Sequence, residues 1–300
     1  LEEIQESVEA GFRKELNRAL RTEEPVFNEA VELTRAGLQK QPEHHSAKLH
    51  DAGGSAGSEK RVIDAVHMAQ KQALSEDESF LLLGQDVAEY GGVFKASEGF
   101  SEEFGKERIR NTPIIESGAI GAAIGLAIEG FKPIVEMQFA DFITCVFNQI
   151  VNNLAKARYR WTPDLNVTIR APHGGGVGAG PFHSRSPEAW FMQVSGLRVL
   201  VPSSVEDAQN MLYTALYDPN PVLFFEHKKL YRSIKEVTPD HCRFVDLEGA
   251  RVIQQGIDLS LITYGYGTIW AREIAEYYSS LGSSIEIIDL RSLAPVDWDT

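Results

Sequence analysis

Residues 166–190 read NVTIRAPHGGGVGAGPFHSRSPEAW. A β-like run is followed by Gly174, Gly175, Gly176, Gly178 and Gly180. Glycine-rich turns after a strand often cradle phosphate, and GGGVGA satisfies the dinucleotide pattern G-x-G-x-x-G/A. That pattern needs a helix opening directly on its last small residue, so that free N–H groups face the pyrophosphate. Here Pro181 and His183 intervene. The best helix start is Ser186-Pro187-Glu188, with Ser as N-cap and Pro at the first helical position. The next strand, LRVLVP (197–202), runs into Pro202, Ser203 and Ser204 rather than an acidic residue for a ribose. Two readings remain: a flexible surface loop, or a loop whose glycines let the backbone approach a ligand and deliver His183 to a site.

Outward from this stretch, strands and helices alternate. The pattern predicts strands at 80–87, 109–116, 132–139, 166–172, 197–202 and 221–227. It predicts helices at 59–74, 117–130, 140–160, 186–195 and 204–218. Such alternation implies a doubly wound, mostly parallel α/β sheet. Residues 228–249 break the rhythm and read as a connection. A second α/β unit then begins, with strands at 250–256, 258–265 and 284–291 and a helix at 268–282. It looks cut off at residue 300. Before the sheet, Leu1, Ile4, Val8, Phe12, Leu16 and Leu20 mark one face of a helix, and residues 27–38 form a second. Residues 42–58 have linker composition, and a solvated linker is the better reading of His44, His45 and His50 than a metal site. The expected organisation is a helical segment and linker (1–58), an α/β domain (59–232) and the start of another (233–300).

Hydrophobic residues make up 43% of the 300, enough for a substantial core, and the net charge is −14. That charge disfavours nucleic acid and anionic membrane surfaces as partners. No apolar run reaches transmembrane length. Two distant cysteines, Cys145 and Cys242, form neither a disulfide framework nor a metal-binding spacing, which suits a reducing compartment. The chain opens on Leu1 rather than Met, so a leader could precede it.

Ligands of open α/β sheets sit beyond the carboxyl ends of the strands. Glu116 is expected there, after Ile114 and Ile115 and before a Gly/Ala-rich helix. It reads either as a carboxylate favoured by the helix dipole or as a carboxyl in an apolar site that shares a proton with a ligand nitrogen. Gln138, Phe139 and Phe142 offer an amide and aromatic faces, or simply core rings. His183 reads as structural or as a group placed by the glycine loop.

Taken together, LLLGQDVAEYGGVF, TPIIESGAIGAAIGLAIEG, PIVEMQFADF, NQIVNNLAKARYR, VTIRAPHGGGVGAGPFHSRSPEAWF and NPVLFFEHKKLYR resemble the beta subunit of thiamine-diphosphate-dependent 2-oxo acid dehydrogenases, of pyruvate or branched-chain type. The resemblance runs from about residue 59 to 300. It implies the thiamine-diphosphate pyrimidine-binding fold followed by a transketolase-type C-terminal domain. Residues 1–58 are similar, more weakly, to an alpha-subunit tail, which would make the chain part of a fused alpha–beta polypeptide.

The resemblance implies a mechanism. Glu116 would hydrogen-bond the aminopyrimidine and favour its imino tautomer, which deprotonates the thiazolium. The carbanion then attacks a 2-oxo acid, with the cofactor as electron sink. Ile114, Gln138 and Phe142 would line the pyrimidine. His183 would assist proton handling during acyl transfer to a lipoyl group. Leu165, Val167, Thr168, Ala215, Asp218 and Asn220 fall where some members bind potassium, although Asp218-Pro219-Asn220 also reads as an ordinary turn. The diphosphate and its magnesium would be held by an alpha-type part, since no GDG…N motif is present here. This chain alone would then be inactive. Its partners would be that alpha-type part, further copies of itself and a lipoyl-bearing acyltransferase core. The setting would be cytoplasmic, or the mitochondrial matrix in a eukaryote.

Two departures bear on substrate choice. Arg185 stands where the family form HSQS has Gln, and His173 stands where Asn or Trp is expected. Both are expected near the mouth of the site. HSRSPEAWF and YRSI lean toward the branched-chain side. Two other readings are a transketolase-like or deoxyxylulose-phosphate-synthase-like enzyme, and a non-catalytic assembly module. Retention of both Glu116 and His183 speaks against the module.

Overall fold

The computed structural model describes residues 2–22, 28–39, 57–161 and 164–300. His44, His45 and His50 lie outside them. The chain divides into two compact units, Leu1–Thr34 and Arg35–Thr300. The first contains helix α1 (Glu2–Arg21) and most of α2 (Glu29–Ala36). The α1 stripe forms as its spacing predicts, with Ile4, Val8, Phe12, Leu16 and Leu20 all exposed.

Among its described residues the second unit has twelve strands. β1 (Gly57–Arg61), β2 (Phe80–Gly84), β3 (Ile109–Asn111), β4 (Lys132–Glu136), β5 (Thr168–His173) and β6 (Arg198–Leu200) come first. β7 (Val222–His227), β8 (Lys235–Pro239), β9 (Arg251–Gln254), β10 (Leu259–Thr263), β11 (Ile285–Asp289) and β12 (Ser292–Ala294) complete the set. Seven of them form one sheet in the order β12-β6-β7-β5-β4-β2-β3. All its pairings are parallel except β12 with β6. β2 and β5 are buried along their whole length, as expected where both faces are covered.

Helix α3 (Val62–Glu76) packs one face of the sheet together with α7 (Val205–Leu216). Four other helices lie between or after them: α4 (Phe100–Phe104), α5 (Glu116–Ile128), α6 (Ala155–Trp161) and α8 (Leu230–Ser233). Small residues at the α3–α7 contact, Ala65, Ala69, Ala73, Ala208 and Ala215, let the helices approach closely around Val66, Met211 and Leu212. Each of those larger buried side chains contributes about 1.5–3 kcal/mol. Ser204 starts α7 by accepting the Asp207 N–H at 3.1 Å. The opposite face of the sheet carries α5 and residues 140–154, with Ile120, Ile143, Ile150, Leu154 and Phe191 in its core.

β9, β10 and β11 form a smaller sheet in the order β10-β11-β9, with α9 (Gly267–Ser279) against it through Ala271 and Ala275. Two further pairings complete the unit. β8 returns to pair antiparallel with β1, and β12 leaves the smaller sheet to join the edge of the larger. Residues 228–249 are therefore more than a connection, because they supply half of the β1–β8 ribbon.

Four local expectations change. The predicted strand over 109–116 stops at Asn111, since Pro113 cannot donate to a ladder, and Glu116 becomes the first residue of α5. The strand over 132–139 ends at Glu136, which leaves Gln138 beyond it. The predicted helix over 140–160 is broken into a 3-10 stretch (Ala140–Val146), a π stretch (Gln149–Leu154) and α6. The helix expected over 186–195 contracts to a 3-10 turn, Glu188–Trp190, with Pro187 as its N-cap. Among the described residues, no helix is long and apolar enough to cross a membrane.

Candidate active-site half at the carboxyl ends of the strands

β2 lies between β3 and β4, with Gly84 opposite Asn111 and Glu136. Their carboxyl ends converge on Gln85, Glu116 and Gln138. Glu116 sits on the first turn of α5, where the unpaired N–H groups of the helix favour a carboxylate. Gln85 Nε2 donates to Glu116 Oε1 at 3.2 Å. The other carboxylate oxygen has no hydrogen-bond partner among the described residues. Ser117 Oγ donates to the Cys145 carbonyl and so ties this turn to the segment carrying Phe142.

The surroundings of Glu116 are apolar but open. Ile114 is 85% exposed and Ile115 53%, while the carboxyl is itself half-buried. Beyond them α5 presents Gly121, Ala122 and Gly125 to solvent, and a Cβ added at Gly121 or Gly125 would meet nothing. The face is smooth enough for another surface to lie directly on it.

On the adjoining side the glycine loop delivers His183. Gly174 and Gly176 have φ of +80° and +90°, a region L side chains avoid. They also sit hard against the end of β7. A Cβ on Gly174 would stand 2.2 Å from His227 Nε2, and one on Gly176 2.7 Å from Lys229 Cδ. Side chains at these two positions would lift the loop off its seat. Its base is closed by the Gly174 N–H donating to the Arg185 carbonyl at 2.9 Å. The Arg185 N–H in turn donates to Asp141 Oδ1 at 3.2 Å. What opens on Gly180 is a three-residue 3-10 turn, Pro181–His183, led by a proline that has no N–H, so it presents no helix N-terminus for a phosphate.

His183 is held by rings. Its imidazole stands edge-on to Phe139 at 4.4 Å and to Phe142 at 5.7 Å between centroids. Phe139 rests in turn on Phe94 at 5.5 Å. Below it lies Lys228, 3% exposed, with Nζ 5.6 Å from the Phe139 centroid and no hydrogen-bond partner among the described residues. Burial pushes the Lys228 ammonium down to about 8, against the opposing charge of Asp141. The structure therefore gathers Glu116 with Gln85 on one side and Phe139, Phe142 and His183 on the other. Gln85, Asp141 and Lys228 escaped the sequence reading. The first two follow strand ends and were findable by that rule, whereas nothing in EHKKL marks Lys228 as buried.

Deeper in the sheet, Arg170 joins β4, β5 and β7. Its guanidinium donates to Glu136 Oε2 at 2.6 Å and grips Glu226 through two bonds of 2.7 Å. All three side chains are buried. The network is a rigid floor beneath the residues above.

Residues 58–234 match the transketolase pyrimidine-binding domain, and residues 248–300 the transketolase C-terminal domain. The chain is 44% identical over 237 residues to the 2-oxoisovalerate dehydrogenase subunit beta of Bacillus subtilis, covering 78% of this chain and 72% of that one. The chain belongs to the beta-subunit family of 2-oxo acid dehydrogenases. It is also 41% identical over 241 residues to the pyruvate dehydrogenase E1 component subunit beta of Staphylococcus aureus, covering 80% of this chain and 74% of that one. A solved structure titled "Split gene transketolase, inactive beta4 tetramer" superposes with a TM-score of 0.65 at 23% identity, covering 79% of this chain and 73% of that one. That likeness supports the fold.

Within this beta-subunit frame, the residues at the strand ends suit the pyrimidine half of a thiamine diphosphate site. They offer a carboxylate with an unused oxygen, amides at Gln85 and Gln138, and apolar contact from Ile114 and Phe142. Among the described residues, no group of three His, Cys, Asp or Glu side chains could hold a metal ion. Leu165, Val167, Thr168, Ala215, Asp218 and Asn220 are buried, and their polar groups pair with one another, with Arg198 and with the Gln39 backbone. Asp218 Oδ2 lies 2.8 Å from Arg198 Nε, and its Oδ1 accepts from Asn220 Nδ2 at 2.6 Å. The Leu165 carbonyl accepts the Val167 N–H, and the Ala215 carbonyl the Thr168 hydroxyl. Asp218 and Asn220 thus form a hydrogen-bonded turn beside the Arg198 guanidinium.

The two departures separate. Arg185 is exposed at the loop base, as a mouth residue would be. His173 is not at the mouth. It is 2% exposed, below the loop, beside Glu188 and His227. The cause is its place as the last residue of β5, in the centre of the sheet.

Proposed function

We propose that this chain supplies the pyrimidine side of a thiamine-diphosphate-dependent site that oxidatively decarboxylates a 2-oxo acid, with acyl transfer to a lipoyl group on an acyltransferase partner. The observation that carries the reading is Glu116, aligned by Gln85 at 3.2 Å on an open apolar face beside the ring-held His183. Bound thiamine diphosphate would supply the nucleophile and the electron sink. Glu116 would hold a proton against the aminopyrimidine ring, and the Gln85 amide would keep the carboxylate pointed at it. Gln138 would add an amide contact, while Ile114 and Phe142 would exclude water from the ring faces. His183 would hold or release a proton near the reacting carbon, moving with a loop whose base is fixed by Asp141.

An alpha-type part, in the same polypeptide or another chain, would close the face formed by Ile114, Ile115 and α5 and hold the diphosphate with its magnesium. Calorimetric titration of thiamine diphosphate with magnesium tests this division. The chain alone should bind weakly and the chain with an alpha-type partner saturably. Tight binding by the chain alone would place the diphosphate site here and overturn the split. On the assembled enzyme, 3-methyl-2-oxobutanoate set against pyruvate then reads substrate choice, and the motif lean favours the branched substrate.

A further inference from the structure

Beyond the glycine loop from Glu116, a second cavity of about 410 Å³ opens between the carboxyl ends of β5 and β7 and the β10–α9 junction. Its walls include His173, Glu188, His227, Tyr264, Tyr266 and Trp270. The volume is that of a small-molecule site. Its chemistry is unfinished. Glu188 is 3% exposed, and its Oε1 accepts the Tyr264 hydroxyl at 3.2 Å. Glu188 Oε2 is buried with no hydrogen-bond partner, and so are both ring nitrogens of His173. His173 Nδ1 stands 3.4 Å from that oxygen, off the line a hydrogen bond needs. A buried carboxylate oxygen without a donor is costly, so a donor belongs there.

The remaining walls say what kind. His227 lies edge-on to His173 at 5.1 Å and stacks on Tyr266 at 5.0 Å, and Tyr266 meets Trp270 edge-on at 5.3 Å. Burial raises the Glu188 carboxyl, but His173, the Glu188 backbone N–H and the Tyr264 hydroxyl together outweigh it and leave Glu188 below its ordinary value and ionised. Burial, the neighbouring His173 and the cations of Lys228 and Lys229 push His227 down to about 4, so it is neutral, with its Nδ1 taken by the Lys229 N–H at 3.3 Å. An ionised carboxylate with an unpaired oxygen and aromatic faces suits an organic cation. Lys229 Nζ, 4.4 Å from the Tyr266 centroid, shows that this ring already accepts a cation on its face.

We propose that this pocket binds a small primary amine, with its ammonium on Glu188 Oε2 and its carbon chain along Tyr266 and Trp270. Gly175 and Ser186, which flank the glycine loop, line the same cavity. Occupancy therefore touches both ends of the loop that carries His183. Binding itself requires neither turnover nor the assignment of Glu116.

The test is calorimetric titration of the folded chain with isobutylamine, valine and isobutyrate at millimolar concentration, with histidine side-chain NMR in parallel. Isobutylamine should bind saturably and shift His173 and His227, and isobutyrate should not bind. Valine binding more tightly than isobutylamine would support the pocket and add Lys229 as the reader of the carboxylate. Glu188→Gln, which keeps the shape, should weaken amine binding about tenfold or more, as loss of a charge-assisted bond requires. If that variant does not fold, Trp270→Leu on the exposed wall replaces it and should also weaken binding. Failure of both amines to saturate, binding by isobutyrate alone, or unchanged affinity in the variants would overturn the proposal.

Discussion

Replacing Arg170 by Met removes a cation in contact with two buried carboxylates while keeping most of the side-chain volume. Glu136 loses one bond of 2.6 Å, and Glu226 loses a two-bond grip of 2.7 Å. The Tyr231 hydroxyl remains as a neutral partner of Glu226, while Gln70 Oε1 loses the bond it accepts from Arg170. Breaking a buried ion pair by deleting one partner costs about 3–5 kcal/mol, because the remaining charge is left uncompensated. For a chain of this size that lowers Tm by roughly 6–15 °C.

The pH dependence carries a second signature. Burial already holds the Glu136 carboxyl above its ordinary value against the pull of Arg170. Without Arg170 the Glu136 carboxyl rises further, so the folded variant binds more protons than the unfolded chain. Its stability is then greatest below the ordinary carboxylate range and falls as pH rises through the raised value. Urea unfolding at a series of pH values, analysed by linear extrapolation, measures both effects. A Tm close to wild type, or a stability loss that does not grow with pH, would refute the account of this network. Replacing Glu136, Arg170 and Glu226 together with apolar residues should cost far less than Arg170→Met alone.

Lys228→Met should raise stability at neutral pH by about 1–3 kcal/mol, because it removes a buried donor without a partner. The wild-type chain should gain stability as pH rises from about 8 toward 10.5, where the unfolded lysine binds the proton that the folded one has lost, and the variant should lack that rise in the same urea series. Gly174→Ala should dislodge the glycine loop, since its φ of +80° and the 2.2 Å approach to His227 Nε2 leave no room for a methyl group. NMR should show the His183 ring leaving Phe139, and a ring signal that stays unshifted would contradict this seating.

The large sheet was legible because its strands are short apolar runs separated by helical periodicity, and because both faces are buried. Local order was legible only where backbone chemistry was simple. Pro113 ended β3 early and turned Glu116 from a strand terminus into a helix start, a change that still left it at the same edge of the sheet. The break of residues 140–160 had no local signal, because it follows from tertiary ties. Asp141 caps the glycine loop, and the Cys145 carbonyl receives Ser117. For His173, the family resemblance suggested the mouth, yet as the last residue of a central strand it is buried below the loop. Charged residues at the sheet centre, Arg170 above all, defeat reading by polarity. Only the arrival of Glu136 and Glu226 from neighbouring strands explains their burial. The family motifs singled out Glu116, Phe142 and His183, and the structure adds the Gln85 amide on Glu116 and the rings that hold His183.

The most direct measurement is the decarboxylation rate of this chain assembled with an alpha-type diphosphate-binding partner, wild type against Glu116→Gln, with thiamine diphosphate titrated. Glu116 is half-exposed, so the variant should fold and assemble normally. The account predicts saturable, cofactor-dependent turnover in the wild type and a fall of about 100-fold or more in the variant, the scale of losing a positioned proton-transfer group. Equal turnover in the two assembled enzymes would contradict it.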